Sequence, residues 1–169
     1  MRAIPLAGTV AAGRVALIDD EDYDLVSPYK WHLHVVTRGR PCGPYARGSI
    51  RLANGIWTNA YMHKLITGWP QTDHENHDGL DNQRHNLRPA SDSQNHANMR
   101  PRPGGTSRFK GVNWVRHAGR WRASIKVDGR SRHLGYFSDE LDAAYAYESA
   151  AREAWGQYAC TSLTGVASA

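Results

Sequence analysis

An α+β chain built as two small domains is what the sequence predicts, and three observations predict it. Short apolar runs broken by Gly, Pro and Asp fill residues 1 to about 60, which is the texture of strands and turns. A proline- and glycine-rich stretch, Arg100-Pro101-Arg102-Pro103-Gly104-Gly105, reads as a linker by composition. Beyond it, three strand-like runs lead into an alanine-rich helix signal.

The totals agree with that division. The chain has 169 residues, 40% of them hydrophobic, which suits one ordinary domain or two small ones. A formal net charge of +5 and a pI of about 9.4 favour a polyanionic partner, nucleic acid or an acidic membrane surface. Cys42 and Cys160 stand far apart, and no Cys-x-x-Cys pair exists. A cysteine-type zinc knuckle is therefore excluded, and two isolated cysteines suit a reducing compartment. The opening Met1-Arg2-Ala3-Ile4-Pro5 carries no long apolar run, so neither a signal peptide nor a membrane span is expected. The expected location is the cytoplasm.

Taken in order, Val15-Ala16-Leu17-Ile18 reads as a strand, and Trp31 to Val36 alternates as another. Pro41 to Gly48 reads as a turn-rich connection. Tyr61 to Ile66 is a short element that the pattern leaves open between helix and strand. Residues 72–99 are polar and crowded with His, Asn and Asp, with Leu87 and Leu80 as the apolar anchors. Ser91 is placed to cap a short helix running to Met99. These residues, 1–99, make the expected first domain, with the linker at 100–106.

The expected second domain spans 107–163. Phe109 to Trp114 reads as its first strand, and Arg120 to Val127 as its second. In the latter Trp121, Ala123, Ile125 and Val127 share one face, while Arg120, Arg122, Ser124 and Lys126 share the other. Asp128-Gly129 signals a hairpin turn, and Arg132 to Phe137 the third strand. Ser138 then reads as a helix cap, with the helix stopping at Gly156. Between Arg108 and Arg132 the only acid is Asp128, whereas the helix carries Asp139, Glu140, Asp142, Glu148 and Glu153. A sheet with one apolar and one cationic face takes the helix on the first and phosphates on the second.

Several separated motifs here resemble one family. Phe109-Lys110-Gly111-Val112, Trp121-x-Ala123-x-Ile125, Leu134-Gly135-Tyr136-Phe137, Ala143-Ala144-x-Ala146-Tyr147 and Ala150-Ala151 are similar to the ethylene-response-factor (Apetala-two type) DNA-binding domain. The resemblance implies a three-stranded antiparallel sheet packed on one helix, with outward sheet residues reading the major groove of double-stranded DNA. By position the implied contacts are Lys110, Asn113, Arg116, Arg122, Lys126 and His133. Asn113 and His133 depart from the arginine and tryptophan that plant members often place there, which leaves the target sequence open.

The polar segment before the linker suggests chemistry. Cutting a phosphodiester needs a base for water and a cation for the phosphate and leaving oxygen. Neutral His suits the first role near pH 7, and Asp and Asn oxygens suit Mg²⁺. Asp73 and His74 are consecutive, and Asn95 on the expected short helix offers a further oxygen. Asp73-His74, Asp81-Asn82-x-Arg84, Asn86-Leu87-Arg88 and Gln94-Asn95, preceded by His63-Lys64-Leu65-Ile66, resemble the HNH nucleases of the phage and intron-homing branch. The resemblance implies a ββα-metal nuclease domain, here with extra β-strands ahead of it. It implies His74 as general base, Asp73 and Asn95 as ligands of Mg²⁺ (or Mn²⁺), and Asn86 as a brace for the loop orienting His74. The implied reaction leaves 5′-phosphate and 3′-hydroxyl ends, in a bacterial or phage-infected cell, from a monomer or homodimer.

Other residues of the segment have plainer readings. His77, His85 and His96 are expected to face solvent, and His63 to be structural or a phosphate contact. Asn82 and Arg84 are expected to stabilise the turn, with Arg84 or Arg88 available to a phosphate. His74-Glu75-Asn76-His77 is not the metalloprotease pattern, because the second His comes too early. The competing function is a non-catalytic DNA-binding transcriptional regulator with a silent nuclease domain. A His-rich structural metal module lacks the closed ligand set that structural zinc requires.

Overall fold

The computed structural model describes residues 1–36, 42–101, 104–160 and 163. Pro41, the linker residues Arg102 and Pro103, and residues 161 and 162 of the expected second domain lie outside it. The chain is mixed α+β with several small antiparallel sheets, and divides by compactness into Met1–Ala90 and Ser91–Ala169. The linker expected at 100–106 and this division differ by one short helix, which falls in the second unit.

In the first unit, β1 (Arg2–Pro5) pairs with β2 (Val15–Ile18). A short helix α1 (Tyr23–Val26) leads into β3 (Trp31–Val36), β4 (Cys42–Arg51) and β5 (Trp57–Tyr61), which form one sheet in that order. The described part of the expected connection at 41–48 is thus not a loop but the first seven residues of the ten-residue central strand. Gly43 and Pro44 resemble turn residues, yet they lie where the β3–β4 register shifts; Tyr45 to Gly48 pair with β3 and Arg47 to Arg51 with β5. The undecided element resolves as helix α2 (Met62–Thr67), closed by Gly68 in the left-handed region at φ +68°. Then β6 (Thr72–His74) pairs with β7 (Leu87–Pro89), which a 3-10 turn at Arg84–Asn86 introduces.

One apolar core holds these pieces together. Ile4, Ile18, Val26, Trp31, Ile50, Met62, Ile66, Leu80 and Leu87 are all buried in it. Trp31 is 1% exposed and its indole N–H donates to the Val26 carbonyl at 3.0 Å, so its burial strands no donor. The edge of β2 also carries the loop before β7. Leu17 N–H donates to Leu80 O and Asn82 N–H donates to Leu17 O, both at 2.8 Å. The N-terminal hairpin is therefore part of the scaffold that positions the polar segment.

The second unit begins with α3 (Asp92–Asn98), capped by Ser91 in a reciprocal capping box with Gln94. Strands β8 (Val112–Val115), β9 (Arg120–Val127) and β10 (Arg130–Phe137) form an antiparallel sheet with β9 central. The first strand starts later than expected because Gly111 adopts φ +71° and breaks the extended run. Asp128 and Gly129, at φ +47° and +79°, make the tight hairpin turn. Helix α4 (Glu140–Trp155) is capped by Asp139, not Ser138: its carboxylate accepts from the amides of Leu141 and Asp142. Ala143, Ala144, Tyr147, Ala150 and Ala151 pack with Phe109, Val112, Ala123 and Ile125 as the second core.

Candidate active site

His74 ends β6, and side chains from β4, α2 and the loop before β7 meet it within the first unit. The His63 ring meets it edge-on, centroids 5.0 Å apart and planes at 87°. The Tyr45 ring lies 5.8 Å away, tilted by 42°. Tyr61 stacks on His63 at 5.4 Å with planes 7° apart, and touches Tyr45 edge-on at 5.7 Å. Asn82 Oδ1 lies 3.5 Å from His74 Nε2, a long hydrogen bond. The Asn82 amide is oriented by its own donor, Nδ2, which gives its proton to Leu80 O at 3.1 Å. An amide oxygen only accepts, so this contact favours the tautomer with the proton on Nε2 and the lone pair on Nδ1.

Burial pushes His74 below the ordinary histidine range. The Asn82 hydrogen bond and the charges of Asp73, Asp78 and Asp81 oppose that shift without cancelling it. His63 is driven to about 3, by burial first, then by His74 and Lys64. Its Nδ1 is buried and has no hydrogen-bond partner among the described residues. Both rings are neutral at pH 7.

Asp73 precedes His74 on the strand and takes a different set of partners. Directly opposite it in register is Arg88, whose Nε and Nη2 both lie 2.8 Å from Asp73 Oδ2. Both residues are buried. Asn86 knits the loop that follows His74. Its Oδ1 accepts from Asn76 N–H at 3.0 Å, its Nδ2 donates to Asp81 O at 2.7 Å, and its carbonyl accepts from Glu75 N–H. Asp73, His74 and Asn86 thus come together on one ribbon and its loop. Asn95 lies on α3, in the second unit.

Arg84 is held by the N-terminal segment. It forms a two-point pair with Asp22 at 2.6 and 3.0 Å, and an ion pair with Glu21 at 2.7 Å. Its backbone N–H donates to Asp19 at 2.7 Å, the main reason that carboxyl sits below its ordinary value. Arg84 and Arg88, weighed as phosphate contacts from sequence, are both engaged by carboxylates. His77, His85 and His96 are exposed. Among the described residues no group of three or more His, Cys, Asp or Glu is arranged to hold a metal.

On the second unit, Arg116, Arg122, Lys126 and His133 are exposed. Asn113 faces Arg122 in register and accepts from its Nε at 3.3 Å. Lys110 has a different position from these five. Its ammonium donates to the carbonyls of His96, Ala97 and Met99 at 2.6, 2.5 and 2.8 Å, closing the C-terminal end of α3. Those contacts turn its charge to the protein, and sequence spacing carried no sign of them. Nor did it reveal Asn82, Tyr45 and His63 as neighbours of His74, with Tyr61 behind His63, because Tyr45, Tyr61 and His63 come from β4, β5 and α2.

The chain is similar to an uncharacterized HNH endonuclease of Acanthamoeba polyphaga mimivirus, 29% identical over 147 residues that cover 87% of this chain and 74% of that one. This likeness supports an HNH nuclease. No family profile matches the chain, and no solved structure matches it. No helix among the described residues is long and apolar enough to cross a membrane.

Proposed function

We propose that the chain is a metal-dependent DNA endonuclease that hydrolyses phosphodiester bonds, with His74 as general base. The observation that carries this reading is the place of His74: a buried imidazole at the end of β6 whose Nε2 faces the Asn82 amide oxygen, next to the Asp73 carboxylate. As general base the His74 imidazole accepts a proton from water as the water oxygen attacks phosphorus. The P–O3′ bond breaks, and the 3′ oxygen leaves opposite the attacking oxygen. Tyr45 and His63 hold the ring in place, and Asn86 keeps the following loop closed over its own backbone.

Asp73 is the residue of the first unit that would hold the cation, and Asn95 is offered as a second ligand by the resemblance alone. A carboxylate and an amide oxygen are hard donors that fit Mg²⁺ or Mn²⁺, which ordinarily take one or two carboxylates plus substrate phosphate. When bound, the cation supplies charge stabilisation for the phosphate and the departing oxygen. Arg88 pins one oxygen of Asp73 and so sets the direction of the carboxylate. The exposed face carrying Arg116, Arg122, Lys126, His133 and Asn113 supports duplex binding by the second unit. Lys110 is not assigned to it.

Supercoiled plasmid tests this directly, with Mg²⁺ or EDTA and with wild type or His74→Ala. Nicked or linear product that requires both Mg²⁺ and His74 supports the reading. A protein that shifts DNA in a gel but never cuts, in Mg²⁺ or Mn²⁺ on several plasmids, puts the DNA-binding regulator ahead of it.

A further inference from the structure

From Leu25 to Thr72 the chain contains no Asp or Glu. The β3–β4–β5 sheet lies inside that interval and has two unlike faces. Trp31, Ala46, Gly48 and Ile50 turn into the core. The opposite face carries His32, His34, Tyr45, Arg47, Ser49 and Trp57, by strand alternation and by the pairings His32↔Arg47, His34↔Tyr45 and Arg47↔Tyr61. An open groove of about 590 Å³ runs over this face, lined among others by Lys30, His32, Arg47, Trp57 and Asn59. Trp57 is 62% exposed within it.

We infer that this face is a second nucleic-acid surface, which holds the phosphate backbone of duplex DNA beside the scissile bond. Charge complementarity supports that occupant: the groove offers Lys30, Arg47 and the rings of Tyr29, His32, His34 and Trp57, and among the described residues that line it none is acidic. Continuity with His74 supports it too. The Arg47 guanidinium sits 5.9 Å from the Tyr61 ring centre; Tyr61 stacks on His63, and His63 meets His74. A backbone lying on Arg47 is thus led along contiguous rings to the proposed base. The inference rests on the nuclease reading for the location of cutting, but the binding itself does not.

The test is read in EDTA, where nothing is cut, with the full chain and a fluorescent mixed-sequence duplex. Each phosphate contact contributes about 0.9 to the slope of log K against log salt. Lys30→Gln with Arg47→Gln should lower that slope by about 2 and weaken binding about tenfold near physiological salt. A duplex carrying 5-iodouracil, crosslinked to wild type, should label Trp57 or Tyr61 in the tryptic peptide 52–64. An unchanged slope in a folded double variant overturns the inference. Should that variant not fold, wild-type crosslinks that spare the peptide 52–64 overturn it. A protein that binds in this way but cuts no plasmid refutes the nuclease reading and leaves the surface standing.

Discussion

Arg88 and Asp73 face each other across the β6–β7 ribbon, with two guanidinium nitrogens each 2.8 Å from the same carboxylate oxygen. Both side chains are at least nine-tenths buried. Removing one partner of such a pair leaves a charge without solvent or counter-charge, at a cost of about 3–5 kcal/mol. Arg88→Ala should therefore lower unfolding stability by about that amount in urea titrations made with EDTA. Cutting by this variant should fall by more than the loss of folded protein, because Arg88 also sets the direction of the Asp73 carboxylate.

Arg84 joins the loop before β7 to the N-terminal segment through Asp22, which is 2% exposed. Arg84 itself is half-exposed, so the pair is partly screened and is worth less than the one at Arg88. Arg84→Ala still strands the buried Asp22 and should cost about 2 kcal/mol. Arg84→Ala with Asp22→Asn should recover part of that loss, because the uncompensated charge is gone. Chemical denaturation of both variants measures it.

His63 links stability to acid. Its folded value of about 3 lies below the ordinary 6.5. Above pH 6.5 the ring is neutral in both states and contributes no pH dependence. Between 6.5 and 3 the unfolded chain takes up a proton that the folded chain refuses, so stability falls as pH falls and levels off below about 3. A Tm series across that window should be shallower for His63→Phe. At neutral pH this variant should match wild type or exceed it, since the imidazole Nδ1 has no partner to lose.

Lys110 and Gly111 separate a structural role from a DNA-contacting one. Lys110→Met frees three carbonyls at the end of α3 and should cost about 2 kcal/mol. The salt slope of DNA binding should stay at its wild-type value, whereas Arg122→Gln should lower it by about 0.9. Gly111→Ala should be more damaging than Lys110→Met, by thermal unfolding. It forces a side chain to φ +71° and drives its Cβ into the Tyr147 ring.

Much of the fold could be read from residues whose signal is local. Alternation from Arg120 to Val127, the Asp128-Gly129 turn, the Ser91 cap and the stop at Gly156 each depend on a few consecutive positions. So does the pairing of Asp73 with His74 as neighbours of opposite chemistry. Residue types there carry their own conformational preference, and no distant partner has to be known. Only the tertiary structure made a central strand of Gly43 and Pro44, whose local preference is for a turn, because a strand's stability lies in the edges it pairs with. It alone placed Tyr45, His63 and Asn82 around His74, with Tyr61 behind His63, gave Lys110 to the end of α3, and tied Arg84 to Asp22 at sixty-two residues' distance. Those are long-range contacts between buried polar and aromatic groups, set by burial and hydrogen-bond satisfaction, and neither leaves a periodic trace in a chain.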